Sequence, residues 1–94
     1  MRRITIKNLD SLADHINEVT GSPKSSWTRD EAGKLRSNVG NHHISQAYGG
    51  YCLHRMENEA GGVSCPVTDG HIPARDLYER MQAYIRGYRE AINK

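Results

Sequence analysis

Cys52 and His54 stand two residues apart, and His42, His43, Cys65 and His71 complete the central set of side chains that could attack a substrate, shuttle protons or hold a metal. On a strand, positions i and i+2 share a face, so a Cys52–His54 pair is sterically allowed. Nothing nearby in sequence orients the imidazole or supplies an oxyanion site, so no catalytic residue is assigned. Metal chemistry meets a similar objection. Zinc sites favour ligands paired at short spacing, such as Cys-x2-Cys or His-x3-His, and neither pattern occurs. Adjacent His42 and His43 point to opposite sides of a strand. Gly49-Gly50 and Gly61-Gly62 lie between strands and not ahead of a helix, so neither cradles a phosphate. The expectation is a chain with no cofactor and no metal.

The elements that must position these residues fit in one small domain spanning residues 1–94. Hydrophobic residues make up 36% of the chain and there is no Phe, so the core rests on Leu, Ile, Val, Tyr and the single Trp. The net charge of +2, with both signs interspersed, lacks the basic stripe of a dedicated nucleic-acid binder. No apolar run reaches the roughly 20 residues of a membrane span, and the basic start lacks the apolar core of a signal peptide. With two Cys suited to a reducing compartment, a cytoplasmic location is expected.

Leu9, Leu12, Ala13, Ile16 and Val19 recur at helical spacing and predict a helix over 8–20. Asn8 reads as its N-cap, and Gly21 followed by Pro23 as its stop. Leu77, Tyr78, Met81, Tyr84, Ile85, Tyr88 and Ile92 predict a second helix over 71–93, with Pro73 in its first turn. Between them, Asp30-Glu31-Ala32-Gly33 and Asn58-Glu59-Ala60-Gly61 each read as a three-residue hairpin loop closed by a glycine bulge. Gly49-Gly50 reads as a two-residue turn. Strands follow at about 25–29, 34–39, 42–48, 51–57 and 63–67, with a bulge or break at Gly40. The predicted fold is α+β in two layers. An antiparallel meander of three to five short strands carries two helices on one face, in the order α-β-β-β(-β)-α.

These turns imply a register. Gln46 faces Leu53, Ser45 faces His54, and Arg55 faces Cys65. Ile44, Leu53, Val63, Cys65 and Val67 then lie under the helices. His43, Ser45, His54, Met56 and Ser64 form an open, polar, histidine-rich face. Cys52 and Cys65 fall on opposite faces and are expected as free thiols. Trp27 reads either as the largest core residue or, beside Arg29, as a stacking anchor.

The run Asn41-His42-His43-Ile44-Ser45-Gln46-Ala47-Tyr48-Gly49-Gly50-Tyr51-Cys52-Leu53-His54-Arg55-Met56 continues to Asn58 and Gly61-Gly62-Val63. With Thr20-Gly21-Ser22-Pro23, Trp27-Thr28-Arg29-Asp30 and Arg75-Asp76-Leu77-Tyr78-Glu79-Arg80-Met81, it resembles small proteins of tailed bacteriophages and prophages. That resemblance brings no catalytic residues. It implies an accessory protein that docks on a host or phage macromolecule, as anti-CRISPR inhibitors of host defence do. The helix–meander–helix order is also similar to that of double-stranded-RNA-binding domains. Their Lys-rich start to the second helix is here Ile72-Pro73-Ala74-Arg75-Asp76, with one cation and one anion.

The first reading is a non-enzymatic binding protein whose partner is a host or phage protein or nucleoprotein, without membrane contact. Its candidate surface is His43, Ser45, Tyr48, Tyr51 and His54, with the tyrosines as stiff anchors. The alternative is a nucleic-acid-binding module using Arg2, Arg3, Lys24, Arg29, Lys34 and Arg36. A small metal-dependent or Cys/His enzyme ranks last.

Overall fold

A computed structural model describes residues 3–92, and Arg2 of the candidate basic set lies outside them. Helix α1 covers Ile6–Thr20, and β1 (Trp27–Arg29), β2 (Leu35–Ser37), β3 (His42–Ala47), β4 (Gly50–Met56) and β5 (Val63–Ser64) lead to α2 (Ala74–Ile92). The fold is mixed α+β with the expected order. Its strands divide into an antiparallel pair, β1–β2, and an antiparallel meander, β3–β4–β5. The break between the sheets falls at Gly40, whose φ of 95° takes the chain through a tight turn closed by Asn41 N–H donating to the Asn38 carbonyl.

Helix α1 starts at Ile6, two residues before Asn8. Thr5 is the N-cap, and Asn8 sits three positions inside, its side chain reaching back to the Thr5 amide at 2.9 Å. This reciprocal capping box satisfies two amides where a lone Asn8 cap would satisfy one. Gly21 ends the helix in the left-handed region, as its sequence position implies. Leu9, Ala13 and Ile16 on α1, Leu53 on β4, and Leu77, Met81 and Ile85 on α2 form the core. The two helices pack on each other, with α1 over β3 and α2 over β4.

Helix α2 starts later than the sequence suggests. Tyr51 and Ile72 exchange two backbone hydrogen bonds of 2.8 Å, so residues 71–72 run extended along the edge of β4. The Pro73 carbonyl then accepts the first helical bond, from Leu77 N–H. Gly50 makes that approach feasible, because a Cβ there would lie 3.1 Å from three backbone atoms of His71 and Ile72.

That requirement moves the β3–β4 turn. Its central residues are Tyr48 and Gly49, both at positive φ, and Ala47 pairs with Gly50. Ser45 therefore faces Cys52 and Ile44 faces Leu53, a register two residues from the expected one. A shift of two leaves every side chain on its expected face.

The β4–β5 connection differs by one residue, which reverses β5. Glu57 N–H donates to the Gly62 carbonyl, so four residues, not three, close the loop, and Met56 pairs with Val63. Arg55 faces Ser64 and not Cys65. Val63 and Cys65, expected under the helices, are exposed, and Ser64 leaves the histidine-rich face. Val67 still reaches the core through the following loop. Met56, expected on the open face, is buried there. Trp27 is 45% exposed and is not the largest core residue.

Candidate functional site

β3 and β4 place His43 opposite His54 on the side of the sheet away from the helices. Their rings meet edge to face, with centroids 5.5 Å apart. His71, carried by the extended segment along β4, adds a third ring 6.2 Å from His54 and accepts or donates a 3.0 Å hydrogen bond with Ser45 Oγ. The Tyr48 ring lies 5.9 Å from His71, again edge-on. Four rings thus form a row from the β3–β4 turn to the far edge of the meander.

His43, Ser45, Tyr48 and His54 come together as expected. Tyr51 does not join them; it lies on the helix side of β4 and packs against the core. His71, a candidate by residue type, was not expected on this face because Pro73 reads as a first-turn residue and drew His71 into the helix.

Burial first, and a neighbouring imidazole second, hold both His43 and His54 below the usual histidine value. His42 points the other way, into the helices. Asn17 of α1 brackets its backbone, accepting from His42 N–H at 2.7 Å and donating to its carbonyl at 2.9 Å. Asn17 Oδ1 also lies 3.0 Å from His42 Nδ1, which makes Nδ1 the protonated nitrogen and leaves Nε2 to accept from Tyr84 O–H at 3.2 Å. Burial and the Arg55 charge push His42 down to about 4.

The same open face carries the thiols. With β5 reversed, Cys65 comes to the side of Cys52 and His54, and the two Sγ atoms are 3.0 Å apart. The expectation of opposite faces is overturned; both thiols are free. The Cys52 thiol beside it pushes Cys65 up to about 11, so Cys65 is not a ready nucleophile at neutral pH. Cys52 is buried and Cys65 exposed, and the ligand atoms of Cys52, His54 and Cys65 all lie within 4.8 Å of one another. Among the described residues these three side chains are the group that could hold a metal ion. Thr68 Oγ1 approaches Cys52 Sγ to 3.3 Å. A cleft of about 230 Å³ lined by Cys65, Thr68, Asp69 and Arg80 opens beside them.

Of the basic candidates, Arg29, Lys34 and Arg36 share the β1–β2 hairpin, apart from Arg3 and Lys24. Arg36 bridges Asp30 and Glu59 at 3.1 Å each, and Arg29 donates to the Gly33 carbonyl. Lys24 and Lys34 are exposed. Arg3 and Lys24 flank opposite ends of α1, a helix about 22 Å long. Among the described residues no helix is long and apolar enough to cross a membrane. Comparison with known protein families, curated proteins and solved structures returned no match.

Proposed function

We propose that this chain is a non-enzymatic binding domain that docks a host or phage protein, or a nucleoprotein, through the tip of the β3–β4 hairpin and the ring row behind it. One observation carries the reading. Among the described residues Tyr48 is the only non-glycine with positive φ, at 54°, and it is 98% exposed. A bulky residue in the left-handed region costs about 1–2 kcal/mol, where Asn or Gly would cost little. The ring covers no core that would offset that cost. Strain of this kind concentrates where a side chain must be presented to a ligand. A rigid, amphipathic Tyr on a two-residue turn, backed by His71, has the character of an interface anchor.

The resemblance to phage and prophage accessory proteins supports a bacterial, cytoplasmic setting and a role such as inhibition of host defence. The nucleic-acid reading gains no support from the tethering of Arg29 and Arg36.

Tyr48→Asn separates function from folding. The variant is expected to melt at a higher temperature, by relief of about 1 kcal/mol of strain. It should also lose capture of the partner that the unmodified chain retains from nuclease-treated bacterial lysate. Equal capture by Tyr48→Asn and the unmodified chain would refute the assignment.

A further inference from the structure

We infer that Cys52, His54 and Cys65 form a binding site for one thiophilic divalent cation, zinc by ligand chemistry. This goes beyond the docking role, in which none of the three thiol or imidazole ligand atoms need take part through a metal.

The placement follows from the backbone. Cys52 and His54 project from alternate positions of β4, and the four-residue loop at Asn58–Gly61 delivers Cys65 to the same side. Tetrahedral zinc with Zn–S of about 2.3 Å and Zn–N of about 2.0 Å needs S···S of roughly 3.8 Å and S···N of roughly 3.5 Å. The present Sγ–Sγ separation is 3.0 Å and all three ligand atoms fall within 4.8 Å, so small rotations of exposed Cys65 reach the coordinating geometry. Two sulfurs and an imidazole nitrogen select zinc-like ions over calcium or magnesium, which take oxygen ligands. Thr68 Oγ1 lies 3.3 Å from the Cys52 sulfur and at present donates its proton to the Gly70 carbonyl at 2.7 Å; turning that hydroxyl toward the sulfur would supply a metal-bound thiolate with an orienting donor. The cleft that Cys65 lines leaves room for a water as the fourth ligand.

The gain is structural. Residues 65–71 form no helix or strand, and the core of this chain is small. A cation bonded to β4 and to Cys65 ties that connection to the sheet. Binding displaces two thiol protons to solvent and forms two metal–sulfur bonds and one metal–nitrogen bond; no electron is transferred.

The test uses the full chain, reduced and stripped by a chelator, titrated anaerobically with Co²⁺ and then Zn²⁺. Expected are a thiolate-to-cobalt charge-transfer band and tetrahedral visible bands saturating at one ion per chain, bleached by Zn²⁺, with two protons released. Zn²⁺ should also raise the melting temperature, because it binds the folded state. Cys65→Ser and His54→Gln sit at positions that are not fully buried, and circular dichroism is to be recorded on each to check that it folds. Each should weaken Co²⁺ at least tenfold, with the charge-transfer intensity reduced in Cys65→Ser and kept in His54→Gln. Absence of the charge-transfer band in fully reduced chain, or unchanged binding in folded Cys65→Ser, would overturn the site. So would air oxidation to a Cys52–Cys65 disulfide at the same rate with and without Zn²⁺. Tyr48→Asn retains all three ligands, so loss of capture in that variant and loss of the metal site are separable results.

Discussion

Gly33 and Gly61 close their turns at φ of 81° and 99°, yet a methyl group meets different surroundings at the two positions. At Gly33 nothing lies within 4 Å of an added Cβ; at Gly61 the Trp27 ring lies 2.7 Å away. Gly33→Ala should therefore cost only the left-handed strain, about 1–2 kcal/mol. Gly61→Ala should cost more, and the excess should vanish in a Trp27→Ala background. Urea unfolding of the four variants in a double-mutant cycle measures it; equal costs for the two glycines would mean that Trp27 does not rest on this turn. The left-handed requirement was legible, because Asp or Asn three residues ahead of Gly has few other readings. The ring above Gly61 was not, because it arrives from the other hairpin.

The helices were legible as elements because apolar residues at 3.6-residue spacing leave one stripe to bury, and Gly21 and Pro23 mark an end that no longer helix can cross. Register was another matter. Asp30–Gly33 and Asn58–Gly61 share one residue pattern and one side-chain habit, each Asx oxygen accepting amides two and four residues on. They nonetheless close loops of three and four residues. The deciding contacts are tertiary: Ser37 Oγ donates to the Asn58 carbonyl and Ser37 N–H to that of Glu59, so β2 holds the second loop. That one-residue difference carried Cys65 across the sheet. The candidate site was thus half legible, with His43, Ser45 and His54 fixed by strand alternation and Cys65 and His71 placed by long-range pairing. Gly50 marks the second such pairing. Gly50→Ala should push residues 71–72 off β4 and cost about 1–3 kcal/mol by overpacking against backbone that cannot rotate away. Hydrogen exchange should show the Tyr51 and Ile72 amides losing protection together. Retained protection of both would show that Gly50 is not what admits the segment.

At the scale of the whole molecule, the two layers are joined by apolar packing and by one buried polar clamp, Asn17–His42–Tyr84, which ties α1, β3 and α2 at a single point. Alternation put His42 on the helix side. Its partners lie 25 and 42 residues away, so the clamp had no local signature. The clamp makes folding depend on pH. Folded His42 holds its proton only below about 4, because burial and then the Arg55 charge disfavour the cation, while an unfolded histidine titrates near 6.5. As pH falls, the unfolded chain takes up the proton first. The contribution is complete above about pH 6.5 and is lost progressively down through pH 4, on the order of 3 kcal/mol in all. His43 and His54, also held low, act in the same direction, whereas Glu57 partly opposes Arg55 at His42. Urea unfolding of the chelator-treated chain between pH 7 and 4 should show stability falling with acid across this window. His42→Gln cannot titrate; it should be less stable at pH 7, because the Tyr84 hydroxyl loses its acceptor, yet visibly flatter toward pH 4. Arg55→Gln should make the fall smaller and let it level off at a higher pH, because removing the repulsion raises folded His42 toward the unfolded value while the onset near 6.5 stays put. A wild-type curve level from pH 7 to 4, or one that His42→Gln leaves equally steep, would mean that the imidazole is not held neutral between the layers.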